Sequence, residues 1–253
     1  MKRACLLLIG DELLSGRTQD VNLAHISKRL NAIGVHLAEA RIIADLPEDI
    51  IHSINAVRKK FDYVLTTGGI GPTHDDITVE CVAKAFGRKI IEHPKALSEL
   101  RAYYEARNIK LNAPRRKMAL IPEGAELIPN IVSAAPGFRI ENLFVLAGVP
   151  RIMQVMLEEV LPLLEGGEEM LSRTITAMVA EGEIAETLDR LQKEHEGVGF
   201  GCYPFYEEEP EGVASVGAAI VMRSYSEDKL NAAHEGIHKA LKNMSAKIVD
   251  NRK

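Results

Sequence analysis

A short apolar strand, Tyr63–Leu65, runs straight into Thr66-Thr67-Gly68-Gly69-Ile70-Gly71-Pro72-Thr73-His74-Asp75-Asp76-Ile77-Thr78, and a helical pattern follows at once. Glycines at 68, 69 and 71 allow backbone N–H groups to come close to an anion. The helix N-terminus just beyond adds partial positive charge. Adjacent carboxylates at Asp75 and Asp76 would repel a phosphate, unless a divalent cation stands between them and it. The plainer alternative is a tight strand-to-helix turn that needs glycine only for its geometry. The segment is not a dinucleotide fingerprint, because an acidic pair occupies the place where pyrophosphate would be received. It is not a P-loop either, since no Gly-Lys-Ser/Thr occurs.

The flanking pattern fixes the fold class. Ala4–Ile9 reads as a buried strand, Val21–Ile33 as a helix with Leu23, Ile26, Leu30 and Ile33 on one face, and Val35–Ile43 as a second strand. Pro47 opens a helix carrying Ile50, Ile54, Val57 and Phe61. Strands separated by helices of this length make right-handed βαβ units and a parallel sheet. Ligands bind outside the carboxyl ends of such strands. The loops Gly10–Gly16, Asp45–Glu48 and Gly68–Thr78 should therefore open on one edge.

Residues 79–125 read as helical, with Val79–Phe86 and Pro94–Arg107 the clearest pieces. Leu143–Leu146 is a further strand ending in Ala147-Gly148-Val149-Pro150, followed by a helix over Arg151–Leu164. Glu165-Gly166-Gly167-Glu168-Glu169 breaks the pattern as a linker. Strand Arg173–Val179, helix Glu183–Glu194, strands Val198–Tyr203 and Val213–Met222, and helix Ser226–Lys242 follow. The last helix places Leu230, Ala233, Ile237, Leu241 and Met244 on one stripe, with Ser226 as N-cap. The expected architecture is α/β. A three-layer, doubly wound, mostly parallel sheet spans residues 1–165, and a small α+β (βαββα) accessory domain spans 168–253.

The 253 residues, 46% of them hydrophobic, suffice for sizeable cores. A net charge of −5 with dispersed Lys and Arg argues against nucleic acid as a partner. Cys5, Cys81 and Cys202 lie far apart, with no disulfide framework or zinc spacing, which fits a reducing cytoplasm. The start Met1-Lys2-Arg3 mimics a signal peptide, but Asp11-Glu12 follow a short apolar run, so a first strand is the better reading. No stretch approaches the roughly 18 apolar residues of a membrane span.

Asp11, Glu12, Asp45, Asp75 and Asp76 all fall in the three loops, and two or three of them are expected to converge. Singly, each also reads as a capping or surface residue, Asp45 as an N-cap for the helix at Pro47. Such a cluster is costly without a cation. Arg115-Arg116-Lys117 would neutralise phosphate, or form a solvated helix face. His74 fits substrate contact and loop packing equally, while His93 reads as a helix-start residue. Cys202-Tyr203-Pro204-Phe205-Tyr206 reads as core or interface, alternatively as a surface for stacking a flavin or adenine ring. No Gly-x-Ser-x-Gly elbow occurs.

Four segments resemble the molybdopterin-binding fold family: Ile9–Gly16, Thr67–Thr78, Ile121-Pro122-Glu123-Gly124-Ala125 and Val145–Pro150. Two branches are closest. One is the N-terminal part of competence/damage-inducible protein A. The other is the molybdopterin-binding-like domain of eukaryotic FAD synthase, which resembles this chain in Gly-Pro-Thr-His-Asp-Asp and in Gly199-Phe200-Gly201-Cys202-Tyr203-Pro204. The resemblance implies a three-layer α/β fold and a nucleotide or pterin phosphate as small-molecule partner. It implies metal-dependent hydrolysis of a nucleotide pyrophosphate, FAD to FMN and AMP first and ADP-ribose second. Co²⁺, Mg²⁺ or Mn²⁺ with K⁺ as helper, and a homo-oligomer, come with it. Asp45 and Asp76 match the family's functional aspartates.

On this resemblance Asp76, Asp45 and Thr78 are catalytic, and Asp11, Glu12, Asp45 and Asp76 hold metal. Gly10, Gly68, Gly69, Gly71, Pro72, Thr73, His74, Asp75, Arg116, Lys117, Gly148 and Pro150 bind substrate. The amidase and nucleotidyltransferase domains carried by relatives of the two branches have no counterpart here, so neither of those activities is expected. Adenylyl transfer to molybdopterin and a non-catalytic nucleotide or pterin-binding module are the alternatives.

Overall fold

Strand β1 (Lys2–Ile9) is the middle of everything that follows: its alternate side chains enter two different cores. The computed structural model describes residues 1–208 and 214–249. The chain divides into two compact units, Met1–Gly167 and Glu168–Lys253.

In the first unit the order after β1 is α1 (Asp11–Leu14), α2 (Asn22–Ala32), β2 (Val35–Ile43), α3 (Pro47–Val57), β3 (Tyr63–Thr67) and α4 (Thr78–Ala85). Then come β4 (Ile90–Glu92), α5 (Pro94–Glu105), α6 (Ala113–Lys117), β5 (Leu120–Pro122), β6 (Glu126–Ile128), β7 (Gly137–Ile140), β8 (Leu143–Leu146) and α7 (Pro150–Val160). The main sheet runs β2-β1-β3-β8-β7-β6. Its first four strands are parallel, while β7 is antiparallel to both β8 and β6.

Cys5, Leu7 and Ile9 pack against Ile50, Ile54 and Val57 of α3 and Cys81 and Val82 of α4. Ala4, Leu6 and Leu8 face Ile26 and Leu30 of α2 and Met153, Met156, Leu157 and Val160 of α7. Helices on both faces of a largely parallel sheet make the three-layer α/β fold, and explain why β1 reads as an unbroken apolar run. Each fully buried leucine contributes about 1.5–3 kcal/mol of transfer free energy.

Parallel pairing aligns the strand ends. Ile9 stands beside Ile43, Leu8 beside Thr67, and Thr67 beside Leu146. The connections after β1, β2, β3 and β8 therefore leave the sheet on one edge, with the order switching about β1 and β3.

The stretch 79–125 is not continuously helical: β4 and β5 pair antiparallel within it. Three residues per strand are too few for a period-2 pattern to show.

The second unit contains β9 (Leu171–Met178), α8 (Glu181–Glu194), β10 (Gly199–Glu208), β11 (Ala214–Ser224), α9 (Glu227–Asn243) and β12 (Lys247–Val249). Its antiparallel sheet runs β10-β11-β9-β12. Ile175, Ala177, Ala218, Ile220 and Met222 pack against Ile184 and Leu191 of α8 and Leu230, Ile237 and Leu241 of α9. The closing strand β12 adds to the expected βαββα order. Val213, the expected start of the third strand of this unit, lies outside the described residues. Met244 is the C-cap of α9 and is exposed rather than on its buried stripe. No helix among the described residues is long and apolar enough to cross a membrane.

Candidate functional site

The aligned strand ends of the first unit enclose a cavity of about 590 Å³, within the range of small-molecule sites. Gly10 and Glu12 contribute from the turn after β1, Asp45 from the turn after β2, and Gly68–Thr73 with Asp75 and Asp76 from the loop after β3. Ala147–Pro150 follow from the turn after β8. Of the residues assigned from sequence, Gly10, Glu12, Asp45, Gly68, Gly69, Gly71, Pro72, Thr73, Asp75, Asp76, Gly148 and Pro150 thus share one wall.

Two glycines are obligatory in the loop. Gly68 has φ +103°, and a Cβ there would lie 2.1 Å from the carbonyl oxygen of Ile9. Gly69 has φ +68°, and its Cβ would lie 2.1 Å from Thr78 Oγ1. Strand β1 and the start of α4 therefore approach the loop closer than any other side chain permits.

Asp76 organises the loop from inside. One carboxylate oxygen accepts from the Gly71 N–H at 2.6 Å, and the other from the Thr73 N–H at 2.7 Å and from the Thr73 hydroxyl. This is the local side-chain-to-backbone bonding that aspartate supplies in turns. The amides of Gly71 and Thr73 are thereby spent, and that of Gly68 is held by the Leu146 carbonyl. Those of Gly69 and Ile70 make no hydrogen bond to the described residues, and both residues line the cavity.

Thr78 is fully buried and donates its hydroxyl to the Gly68 carbonyl at 3.0 Å, within the frame of the loop and off the cavity wall. Lys117 also serves the loop's backbone, donating to the Asp76 carbonyl at 2.6 Å and the Thr73 carbonyl at 3.3 Å while lying 3.7 Å from Glu80. Arg116 turns to Glu92 in a two-pronged ion pair and does not line the cavity. His74 is exposed and off the wall as well. His93 is the N-cap of α5, its ring nitrogen accepting from the Ala96 N–H.

Asp11 is turned to Asp45. The Asp11 N–H donates to Asp45 Oδ2 at 2.9 Å, and the Asp45 N–H donates to Asp11 Oδ1 at 3.2 Å. Burial, reinforced by the charges of Asp11, Glu12 and Asp75, pushes the Asp45 carboxyl above the ordinary aspartate range, against the pull of that Asp11 N–H.

The wall facing the loop comes from residues with no sequence assignment: Tyr104 of α5, Met118, Asn130, Ser133 and Ala135, with Thr18 nearer the acidic rim. Asn130 is buried; it accepts from the Val132 and Ser133 N–H groups and donates to Ser133 Oγ and the Ala135 carbonyl. The Asn-x-x-Ser spacing of an Asx turn was its only trace in the sequence. Tyr203 and Tyr206 are exposed on β10, so they are not core.

No group of three or more His, Cys, Asp or Glu among the described residues is placed to hold a metal ion by itself. Glu12, Asp45, Asp75 and Asp76 nonetheless bring carboxylates to the lining, oxygen ligands suited to a hard dication that keeps much of its shell for water and ligand oxygens.

Residues 5–166 match the family described as probable molybdopterin binding domain, nearly two thirds of the chain. The chain belongs to that family. Residues 169–250 match the family described as FAD synthase, middle domain. A protein of Thermococcus kodakarensis is 39% identical over 218 residues, covering 78% of this chain and 86% of its own. A CinA-like protein of Geotalea uraniireducens is 41% identical over 60% of this chain, but that region is only 37% of the longer relative. Among solved structures, CinA of Thermoplasma acidophilum, described as of unknown function, aligns with a TM-score of 0.58 at 31% identity over 63% of this chain and 95% of its own. This member of the molybdopterin-binding family therefore joins a CinA-type α/β unit to a unit of the FAD synthase middle-domain type.

Proposed function

We propose that the cavity binds the diphosphate of a nucleotide and hydrolyses its phosphoanhydride, with FAD as first substrate, giving FMN and AMP, and ADP-ribose as second. One observation carries this reading: glycine backbone with free amides and the carboxylates of Glu12, Asp45, Asp75 and Asp76 line the same cavity. The unpaired Gly69 and Ile70 amides would hold phosphate oxygens. Asp76 keeps the loop in the shape that presents them. Asp45 stands on the same wall, where a cation that it helps to hold would lower the pKa of the attacking water. The water oxygen bonds to phosphorus, the bridging P–O bond breaks, and the second phosphate leaves as an anion. Glu12 and Asp45 would hold a divalent cation together with ligand phosphate oxygens, and the cation would supply charge neutralisation and Lewis acidity. The match of residues 169–250 supports FAD as the substrate to try first.

A pterin phosphate, as acceptor in adenylyl transfer, is the second reading, favoured by the family match over residues 5–166. One screen separates them. Purified protein is incubated with FAD, with ADP-ribose, and with molybdopterin plus ATP, each with Mg²⁺, Mn²⁺, Co²⁺ or chelator, and products are resolved by chromatography. FMN and AMP from FAD, lost on chelation and in Asp45→Asn, is the expected result. Turnover unaffected by Asp45→Asn would overturn the role of this rim. Tight binding without product would make the chain a binding module.

A further inference from the structure

The cavity differs in chemistry from one wall to the other. Glycine backbone and carboxylates form the first, and Tyr104, Met118 and Ala135 bring apolar surface to the wall that faces it. The Tyr104 ring is held in place. The Arg115 guanidinium lies over it at 4.9 Å from the centroid, and Tyr103 meets it edge to face at 5.3 Å and 89°. The Tyr103 hydroxyl donates to the Val132 carbonyl at 3.3 Å, which ties α5 to the turn at residues 130–135. Asn130 fixes that turn from within. Its Oδ1 accepts from the Val132 and Ser133 N–H groups at 3.0 and 3.3 Å, and its Nδ2 donates to the Ala135 carbonyl at 2.8 Å. A flipped amide would set donors against donors, so its orientation is settled. The Asn130 carbonyl accepts from the Ala134 N–H at 2.9 Å. Ala134, between the wall residues Ser133 and Ala135, is left-handed at φ +59°, a conformation uncommon for a residue with a Cβ. Asn130 Nδ2 also donates to Ser133 Oγ at 2.6 Å. A serine hydroxyl carries a single hydrogen. With Asn130 as donor in that pair, the Ser133 hydrogen points away from it and meets no acceptor among the described residues. Ser133 lines the cavity and is half-buried.

We propose that this wall is the subsite for the heteroaromatic ring of a nucleotide diphosphate, and that Ser133 reads the ring by donating to an in-plane nitrogen or carbonyl oxygen. The proposal rests on the reading of the main cavity as a nucleotide diphosphate site. Tyr104 and Met118 supply the apolar surface against which the ring lies. Asn130 is a positioning residue: its side chain is spent on the turn, and the hydroxyl hydrogen of Ser133 is what the turn leaves for a ligand. Such a donor discriminates, because a ring with no acceptor opposite it leaves it unpaired. Adenine and flavin both carry acceptors of this kind, and the two are told apart by experiment.

Calorimetry on the full chain and on Ser133→Ala tests it. The ligands are ADP-ribose, its analogues with CH in place of adenine N1, N3 or N7, FMN, and inorganic pyrophosphate. One CH analogue should bind the unaltered chain about 2- to 13-fold more weakly than ADP-ribose, the worth of one neutral hydrogen bond. Ser133→Ala should bind ADP-ribose more weakly by the same factor, and the difference between ADP-ribose and that analogue should vanish. Pyrophosphate, which has no ring, should bind both proteins equally and more weakly than ADP-ribose. If the CH analogues all match ADP-ribose while FMN weakens in Ser133→Ala, the ring read is the flavin. ADP-ribose and FMN that bind Ser133→Ala as well as the unaltered chain would overturn the role of Ser133 and leave the diphosphate reading intact. So would a CH-analogue difference that survives in Ser133→Ala. Pyrophosphate binding as tightly as ADP-ribose would overturn the ring subsite itself. Failure of every ligand to bind would remove both readings together.

Discussion

Asp11 and Asp45, 34 residues apart, exchange hydrogen bonds between each one's backbone N–H and the other's carboxylate, at 2.9 and 3.2 Å. This reciprocal pair ties the turn after β1 to the turn after β2, and it presents Asp45 on the cavity wall while withholding Asp11. Removing either partner should loosen both turns. Urea unfolding of Asp11→Ala, Asp45→Ala and the double variant should show a coupling of about 0.5–3 kcal/mol. Strict additivity would mean that the two turns are held independently.

Gly69 and Thr78 make the second test. Gly69→Ala forces a left-handed residue against Thr78 Oγ1, and should cost about 1–3 kcal/mol. Thr78→Val leaves the Gly68 carbonyl without its hydroxyl donor, also about 1–3 kcal/mol. Thr78→Ser, which keeps the donor, should recover most of the stability and of the ligand binding. A Thr78→Ser variant as impaired as Thr78→Val would show that the methyl group, not the hydrogen bond, matters.

Adjacent cations should behave differently. Arg116→Ala breaks an exposed pair with Glu92 away from the cavity, and should change stability by no more than about 1 kcal/mol with ligand affinity unaltered. Lys117→Met removes the ammonium that holds the Asp76 and Thr73 carbonyls, and should weaken ligand binding. Calorimetry on the two variants decides, and the opposite ranking would place Arg116 on the ligand.

Thiol chemistry should be selective. Burial pushes the thiols of Cys5 and Cys81 up to about 11, and both are inaccessible in the folded chain. Cys202 is half-buried, with its thiol raised as well. At about pH 8, where an ordinary thiol is partly ionised, a thiol reagent should label Cys202 slowly and Cys5 and Cys81 only after denaturation. Mass mapping of the modified peptides reads this directly.

Acid should release one surface cluster. Hydrogen bonds from Lys60 and Arg41 hold the Glu39 carboxyl below the ordinary glutamate value. A depressed folded value means that the native state binds the proton less readily. The contribution is therefore present above about pH 4.3 and lost as pH falls through the folded value. Glu39→Gln should lower stability at neutral pH by the contribution of the cluster, at most about 1 kcal/mol, and flatten the acid part of the stability curve. An unaltered acid limb would show that the pair contributes nothing measurable.

The alternation of strands and helices was legible because each helix must bury one stripe, and β1 must bury both faces. The glycines at 68 and 69 were legible because their backbone angles and close approaches exclude every other side chain. Which charges meet is another matter. Arg116 was read toward a phosphate, and the structure pairs it with Glu92, 24 residues earlier on a three-residue strand that carries no period-2 signal. The facing wall likewise joins Tyr104 of α5 to Asn130, Ser133 and Ala135 of the connection after β6, a meeting that no local pattern announces.

Local propensity and hydrophobic periodicity are properties of a few consecutive residues, so the sequence alone determined the layered α/β fold and the loop that bends without side chains. The partners of Asp11, Thr78, Lys117 and Asn22 lie between 10 and 126 residues away. Only the folded chain decides whether such a polar atom spends its hydrogen bond on its own framework or keeps it for a ligand, because that choice is made by what the strand ends bring within 3 Å.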